Sequence, residues 1–260
     1  MRILCIGDVV GSIGCKFLRS RLPALKKVKG IDFVICNGEN SADGNGLTPV
    51  SAKFLFDSGV EAITLGNHSF RRKEAFDYLD ESPFVARPLN FPDGTTPGRG
   101  IINVDTGRRI ITIINLMGNL FIEDGLACAF ETADKALSQA ESKIIIVDFH
   151  AETTSEKRAL GYYLDGRVSA VFGTHTHVPT ADECILKKGT AYQSDVGMCG
   201  DYNSVLGFEE ETPIARLLRK YPSERLIPSK GEGTLCAVMV ETDDKTGLAV
   251  CVERVMIKPQ

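Results

Sequence analysis

The sequence predicts an α/β protein with a layered sheet. From the start to about residue 70, apolar runs of four to six residues alternate with longer segments of helical periodicity, a pattern typical of β-α-β units. A hydrophobic content of 43% over 260 residues provides enough apolar side chains for a core. Because no internal repeat or linker rich in proline or serine divides the chain, we expect a single domain over residues 1–260.

Three strands and two helices are predicted in this first part. Apolar runs place the strands at residues 3–6, 33–36 and 62–65, and periodicity places helices at about residues 13–28 and 49–57. Pro23 should kink or divide the first helix, because proline lacks the backbone donor that a helix interior needs. Thr48 suits the N-cap of the second helix, and Gly59 suits its end.

The same criteria extend the α/β pattern through the rest of the chain. Further strands are predicted at residues 100–104, 109–116, 143–149 and 168–172, with a helix at about residues 130–140. The C-terminal part adds short apolar runs near Ile185 and at residues 191–192, 235–240 and 248–255, and residues 243–247 should join the last two as an antiparallel hairpin.

Charge and hydropathy disfavour several partners. Thirty basic and thirty-four acidic side chains leave a formal charge of −4, so we expect no long nucleic acid as a partner. No window approaches the roughly 18 apolar residues of a membrane helix. The N-terminal apolar run is short and meets Asp8 directly, so we expect a first strand rather than a signal peptide, and a cytoplasmic location.

The eight cysteines do not form a recognisable metal or disulfide pattern. The two that lie closest in sequence, Cys5 and Cys15, are ten positions apart, and no Cys-x-x-Cys motif occurs. We therefore expect reduced cysteines that pack as small apolar residues. Several lie in apolar, strand-like runs, namely Cys5, Cys36, Cys236 and Cys251.

All four histidines follow apolar, strand-like runs. They are His68, His150, His175 and His177. A single histidine in such a place is usually a hydrogen-bonded structural residue. Four in this setting are a stronger signal, because ligands of open α/β sheets bind beyond the carboxyl ends of the strands. Further polar side chains of ligand type stand in the same position, and together they predict a metal centre: Asp8, Glu39, Asn40 and Asn67.

The residue types suit a pair of divalent ions. Two ions about 3.5–4 Å apart repel each other and need a bridging carboxylate and a second anionic ligand, for which Glu39 and Asp8 are the candidates. Neutral donors can complete the coordination, namely Asn40, Asn67, His150, His175 and His177. In an extended stretch, His175 and His177 would project to one side. Oxygen and nitrogen ligands without thiolate favour iron, manganese or zinc.

Such a pair of ions suits phosphoryl chemistry. It neutralises phosphate oxygens and lowers the pKa of a bound water, so that a metal-bound hydroxide can attack phosphorus. The leaving oxygen still needs a proton, and His68, next to Asn67, is the candidate general acid. The alternative is that His68 only orients a metal ligand.

Four motifs resemble those of calcineurin-type metallophosphoesterases. They are Gly7-Asp8, Asn37-Gly38-Glu39-Asn40, Gly66-Asn67-His68 and Gly173-Thr174-His175-Thr176-His177. Two departures, Val10 in place of a histidine and Glu39 in place of an aspartate, narrow the resemblance to the YmdB-like metallophosphoesterases. Further segments share this likeness, which runs from Met1 to roughly Leu218: Arg87-Pro88-Leu89-Asn90 and residues 147–157, 177–182 and 189–195.

The resemblance implies a four-layer αββα sandwich, a di-iron or similar dinuclear centre, and phosphodiesterase activity on cyclic nucleotides, notably 2′,3′-cyclic AMP. It also implies two sets of ligands that share Glu39. One ion would be held by Asp8, Glu39, Asn40 and His177, and the other by Glu39, Asn67, His150 and His175. Asn40 would compensate for the histidine that is missing at position 10.

Three other segments have simpler interpretations. The glycine-rich residues 38–46 lack the Lys-Ser/Thr of a P-loop, so we interpret them as a metal-site loop. Arg71-Arg72-Lys73 is expected to be a solvated charge cluster, although it follows His68 closely and could attract phosphate. The run from Glu209 to Pro213 is typical of the first turn of a helix.

Two alternative functions remain open at this point. The same centre could serve a phosphomonoesterase or a nuclease, because ligand type does not separate monoesters from diesters. A regulatory metal-binding module with little turnover is the alternative outside enzymes. The sequence carries no signature of an oligomeric state and identifies no substrate-binding residue.

Overall fold

A computed structural model describes residues 1–259 except Asp93, Thr95, Glu123, Asp124 and residues 220–224. Its strands, in chain order, are β1 Arg2–Val9, β2 Phe33–Asn37, β3 Ala62–Thr64, β4 Val85–Ala86, β5 Ile101–Asp105, β6 Ile110–Met117, β7 Ile144–His150, β8 Ala170–Thr174, β9 Cys184–Ile185, β10 Ala191–Gln193, β11 Met198–Asp201, β12 Gly233–Thr242 and β13 Ala249–Ile257. Its helices are α1 Gly11–Lys29, α2 Pro49–Asp57, α3 Ala75–Glu81, α4 Ala129–Leu137, α5 Thr154–Tyr163 and α6 Glu211–Arg219.

The strands form two sheets. The first sheet has the order β13-β12-β11-β1-β2-β3-β4, and the second has the order β5-β6-β7-β8-β10-β9. Strands β1 to β4 run parallel to one another, as do β6, β7, β8 and β10. The predicted hairpin of β12 and β13 closes one edge of the first sheet. Each sheet therefore has a parallel centre whose strands end along one edge.

Three apolar clusters show how the layers pack. Ile3 and Ile35 of the first sheet pack with Ile113 and Ile146 of the second, so the two sheets face each other. A second cluster joins the outer face of the first sheet to α1 and α2, and a third joins the outer face of the second sheet to α4 and α5. The molecule is therefore a four-layer αββα sandwich, and the predicted fold class is confirmed.

Most predicted elements are present, with one clear difference in the first helix. Helix α1 continues through Pro23 as one element, so of the two predicted effects, a kink or a division, the division does not occur. Leu18, Leu22 and Leu25 are buried against the sheet, and this packing stabilises the helix on both sides of the proline. In α2 the predicted cap is present, because the Thr48 side chain accepts a hydrogen bond from the Ser51 amide.

The cysteine prediction is wrong for two residues, Cys128 and Cys251, which are exposed. All eight cysteines are free thiols, and Cys5, Cys36 and Cys236 are buried as expected. Cys251 is exposed instead, because β13 is the edge strand of its sheet and much of it faces solvent. Among the described residues, no helix is both long and apolar enough to span a membrane.

Candidate metal centre

The predicted site residues lie at the carboxyl ends of strands from both sheets. Asp8 lies near the end of β1, and His150 is the last residue of β7. The others follow β2, β3 and β8 within four residues: Glu39, Asn40, Asn67, His68, His175 and His177. The structure brings all eight side chains into one connected group, although they come from distant parts of the chain.

Around His150, three other predicted ligands converge. Its Nε2 atom lies 2.9 Å from Asn67 Oδ1, 3.2 Å from Glu39 Oε1 and 3.1 Å from His175 Nδ1. Ligand atoms of Glu39, His150 and His175 all lie within 4.8 Å of one another. This spacing is small enough for one divalent ion to contact all three residues.

Around Asp8, a second group assembles beside the first. Asp8 Oδ1 lies 3.6 Å from His177 Nε2 and accepts a hydrogen bond from Asn40 Nδ2 at 3.3 Å. The same Asn40 nitrogen lies 3.2 Å from His177 Nε2. Asp8 Oδ2 accepts the backbone amide of His175 at 3.0 Å, which joins this group to the first one.

Three histidines each direct one ring nitrogen toward these groups and the other toward a partner outside them. We call them the strand-end histidines: His150, His175 and His177. His150 Nδ1 lies 2.9 Å from Thr174 Oγ1, and His175 Nε2 lies 3.0 Å from a Glu152 carboxylate oxygen. His177 Nδ1 lies 3.1 Å from the carbonyl oxygen of Leu206. An acceptor on the outer nitrogen keeps a proton there, so the inner nitrogen is the one that would bind a metal after losing its own proton.

The carboxylates of the site are buried without a permanent cationic partner. Asp8 is fully buried and Glu39 is 1% exposed. Among the described residues, both form ion pairs with histidines only. Buried carboxylates are costly unless they are paired or bind a metal. This donor set of two carboxylates, three imidazoles and the Asn67 amide oxygen therefore fits divalent cations. Asn40 directs its amide nitrogen rather than its oxygen toward Asp8 and His177, so it would have to turn its amide over to bind an ion.

The charges of these groups shift their pKa values strongly. Burial alone would lower the pKa of His150, but the Glu39 carboxylate raises it to about 9. Burial and the neighbouring His150 charge lower the pKa of His175 to about 3. Burial would raise the pKa values of Asp8 and Glu39, but the histidines His177 and His150 hold both below their usual range. Glu39 and Asp8 are therefore anionic at neutral pH.

His68 lies at the edge of the group. Its backbone amide donates to Glu39 Oε2 at 2.8 Å, and its Nδ1 lies 2.7 Å from Asn40 Oδ1. The side chain is 28% exposed, in contrast to the buried His150. Burial lowers the pKa of His68, and Glu39 partly offsets this effect. His68 is thus held next to the carboxylates with part of its ring open to solvent.

The loop after β8 differs from the extended stretch that the sequence predicts. His175 and His177 have φ values of 105° and 64°, so this expectation is wrong. A non-glycine residue with such a positive φ value destabilises the fold by of order 1–3 kcal/mol, which surrounding contacts must offset. One such contact is the Thr176 amide, which donates to Asp195 Oδ2 at 3.1 Å. Asp195 in turn forms a buried ion pair with Lys157 at 2.6 Å.

A buried polar network underneath the site links the two sheets. Asp148 of β7 accepts hydrogen bonds from Thr174 Oγ1 at 2.7 Å, from Asn37 Nδ2 at 3.2 Å and from the Thr64 hydroxyl. Burial raises the pKa of Asp148 to about 7, although the His150 charge opposes this shift. Asn37 and Thr64 belong to the first sheet and Asp148 and Thr174 to the second, so the network positions the two sets of strand ends.

A family model described as YmdB-like protein matches residues 4–255 of this chain. The chain belongs to the YmdB-like family. The predicted resemblance is confirmed, and with it the prediction of an enzyme of the metal-dependent phosphoesterase type.

Three relatives of the YmdB-like chain cover nearly its whole length. A 2′,3′-cyclic-nucleotide 2′-phosphodiesterase of Bacillus subtilis (strain 168) is 48% identical over 259 residues, which are 99% of this chain and 97% of that protein. A Thermus thermophilus protein of solved structure is 41% identical, with a TM-score of 0.93 and coverage of 100% of both chains. A Mycoplasma pneumoniae phosphatase is 35% identical with a TM-score of 0.93, covering 99% of this chain and 93% of that one.

Several residues of this YmdB-like site were not assigned a role from the sequence. Glu152 orients His175, Asp148 links the sheets, and Asp195 with Lys157 supports the histidine loop. Asp148, Glu152 and Lys157 lie within the motif of residues 147–157, but their partners are distant in sequence. The local signal that could have indicated Asp148 is a carboxylate placed inside an otherwise apolar strand.

The arginine cluster also differs from its interpretation as a solvated group. Arg72 donates to the carbonyl oxygens of Asn45 at 2.9 Å and of Ala42 at 3.0 Å, so it anchors the loop of residues 38–46. Lys73 is exposed as expected. Arg71 lines a groove that opens beside His68.

Proposed function

We propose that this protein is a phosphodiesterase that hydrolyses 2′,3′-cyclic nucleotides at a dinuclear metal centre. The observation that carries the proposal is the orientation of His150, His175 and His177, which direct one nitrogen each toward two buried carboxylates. The name of the Bacillus subtilis relative supports the choice of a 2′,3′-cyclic nucleotide as substrate. The expected location is the cytoplasm.

In this proposal, Glu39 would help to hold both of two ions. Asp8, Asn40 and His177 would complete one set of ligands, and Asn67, His150 and His175 would complete the other. The distances around His150 Nε2 and Asp8 Oδ1 support this division, because each set clusters around one of these atoms. Iron is the expected metal, and manganese or zinc would suit the same donors. When bound, the ions would neutralise phosphate oxygens and activate water for attack on phosphorus.

His68 acts in this proposal as the general acid. Its Nδ1 donates to the Asn40 amide oxygen, so the doubly protonated ring would deliver its second proton from Nε2. Water attacks the cyclic phosphorus, the bond between phosphorus and the ribose 2′-oxygen breaks, and that oxygen takes the proton. The product is a nucleoside 3′-phosphate. The exposed part of the His68 ring supports a role in contact with substrate.

A nucleotide panel on protein of known metal content tests the reaction. We expect about two ions per chain, and turnover of 2′,3′-cyclic nucleotides well above that of 3′,5′-cyclic nucleotides and of monoesters. Metal content far below two ions that does not rise on reconstitution with iron or manganese would contradict the dinuclear centre. Two bound ions with no hydrolysis of any nucleotide would instead favour a regulatory metal-binding module.

Replacing the proposed acid tests its role separately. We expect His68→Ala to keep its metal and to lose turnover by on the order of 10²–10⁴, the usual contribution of a general acid. The matched control is Lys73→Ala, an exposed residue shortly after His68 in the chain. Unchanged turnover in His68→Ala would assign the histidine a structural role.

One observation favours a second candidate function on the same centre. The Mycoplasma pneumoniae relative is described as a phosphatase, so a phosphomonoesterase is the alternative. The same panel separates the two, because a phosphomonoesterase would hydrolyse the monoesters faster than any cyclic diester.

A further inference from the structure

A groove of about 640 Å³ opens beside the metal centre. It shares Asn40, His68 and His177 with the site, so a molecule bound in the groove could reach the reacting phosphate. The volume lies in the range of about 300–1,000 Å³ that is typical of small-molecule sites. Ile227 on its wall is 43% exposed, so the groove continues out to solvent.

Three arginines line this groove in a protein whose net charge is −4. They are Arg71, Arg216 and Arg225. The acidic residue on the same wall, Asp43, lies 3.8 Å from Arg72, which reduces its effect on the groove. The groove is therefore a local concentration of positive charge.

The positive charge of the groove exceeds what is needed to bind the phosphate of a cyclic mononucleotide. Such a substrate carries one phosphate with a single negative charge, and in the proposed function that phosphate lies on the metal ions. Guanidinium groups recognise phosphate oxygens by paired hydrogen bonds. Three of them beside the centre point to a further phosphate at a distance from the reacting one.

An aromatic ring lies in the same groove. Phe208 packs against the metal-site loop, because a Cβ atom on Gly44 would lie 3.3 Å from the ring atoms Cε1 and Cζ. Paired backbone hydrogen bonds with Val205, at 3.0 and 3.1 Å, hold Phe208 in place. A fixed, partly exposed ring next to arginines is the combination on which single-stranded nucleotides stack.

We infer that the groove binds the nucleotide that precedes a 2′,3′-cyclic phosphate, so that the substrates include short oligoribonucleotides with a cyclic 3′ end. This inference rests on the proposed function and extends its substrate class. The preceding base stacks on Phe208, and the linking phosphodiester lies near Arg71. The chemistry is unchanged: water adds to the terminal phosphorus, the bond to the 2′-oxygen breaks, and a 3′-phosphate end forms.

Three substrates on the metal-loaded, full-length protein test the inference. They are 2′,3′-cyclic AMP, its 5′-phosphorylated form, and the diadenosine dinucleotide that ends in a 2′,3′-cyclic phosphate. We expect kcat/KM to be at least about tenfold higher for the dinucleotide than for 2′,3′-cyclic AMP, mainly because KM is lower. A tenfold difference is the effect of one extra charged contact. The 5′-phosphorylated mononucleotide should fall between the two, because it offers the second phosphate without the second base.

A variant locates the effect in the groove. Arg71→Gln should reduce kcat/KM for the dinucleotide by about tenfold more than for 2′,3′-cyclic AMP. Arg108→Gln is the matched control, because Arg108 precedes β6 at the end opposite His150 and the site. Metal content of each variant, measured in parallel, shows that the site is intact.

The same measurements distinguish failure of the groove inference from failure of the proposed function. If 2′,3′-cyclic AMP is hydrolysed and the dinucleotide is no better, the groove inference is wrong and the proposed function stands. A 5′-phosphorylated mononucleotide as good as the dinucleotide would also overturn it, because the second nucleoside would then contribute nothing. If no cyclic phosphate is hydrolysed, both proposals fail together.

Discussion

At the scale of single residues, the candidate centre depends on how closely its side chains approach the backbone. Gly66 lies next to the metal-site residues, and a Cβ atom there would come within 2.3 Å of His150 Nε2 and 2.5 Å of Glu39 Oε2. Side chains at these distances would have to move. Glycine at position 66 is therefore what allows the β3 end to lie against the ligands of both sheets.

Gly66→Ala should displace His150 and Glu39 and so reduce both bound metal and turnover. A misplacement of about 1 Å can cost on the order of 10²-fold in rate. Metal analysis and kinetics on the purified variant measure the two effects. Gly107→Ala is the control, because a Cβ atom there meets nothing within 4 Å and its cost is limited to the positive φ of 77°. Wild-type metal content in Gly66→Ala would contradict the predicted ligand geometry.

At the scale of elements, the loop after β8 is supported by α5 and by the segment after β10. Lys157 of α5 is 2% exposed, and its ammonium lies 2.6 Å from Asp195. Asp195 also accepts the amides of Thr176 and Gly197, at 3.1 and 2.8 Å. The buried pair therefore connects a helix to the loop that carries His175 and His177.

Lys157→Met should destabilise the fold by about 3–5 kcal/mol, because it leaves the Asp195 carboxylate buried without its cation. Denaturant unfolding at neutral pH measures this change, and titration with manganese measures whether the loop still binds metal with the same affinity. The control is Lys53→Met, which removes an exposed pair with Asp57 and should cost no more than about 0.5 kcal/mol. Equal effects of the two variants would show that the buried pair has no special role.

At the scale of the whole molecule, the centre lies between the two sheets. Asp8, Glu39, Asn40 and Asn67 belong to or follow strands of the first sheet, and the three strand-end histidines end or follow strands of the second. Metal binding would therefore tie the two halves of the sandwich together. Because the unfolded chain lacks this arrangement, bound metal should stabilise the folded state.

Removal of metal by a chelator should lower the unfolding temperature, and reconstitution should restore it. At a free metal concentration about 100 times Kd, the stabilisation is about 2.7 kcal/mol. For a protein of this size, that corresponds to roughly 5–10 °C. Scanning calorimetry of the two forms measures the shift, and Glu39→Gln, which loses the proposed bridging carboxylate, should show a smaller one. An unchanged unfolding temperature with two ions bound would contradict a centre shared by the two sheets.

Local patterns in the sequence were sufficient for most strands and for the types of the site residues. The periodicity of apolar residues reflects burial of a strand or a helix face, which neighbouring residues decide. Pro23 does not divide α1, because the packing of Leu22 and Leu25 against the sheet outweighs the local cost of proline. The position of each candidate ligand at a strand end followed from the same local patterns.

The sequence therefore established the layered α/β pattern, the residue types of the centre and their places at the ends of strands. Three features could not be predicted from the sequence: the left-handed backbone of His175 and His177, the support from Asp195 and the groove beside His68. The reason is physical. These features are contacts between residues far apart in the chain, such as Asp8 and His175, which are 167 positions apart. Such contacts form where two sheets close on each other, and no local pattern of residues specifies that geometry.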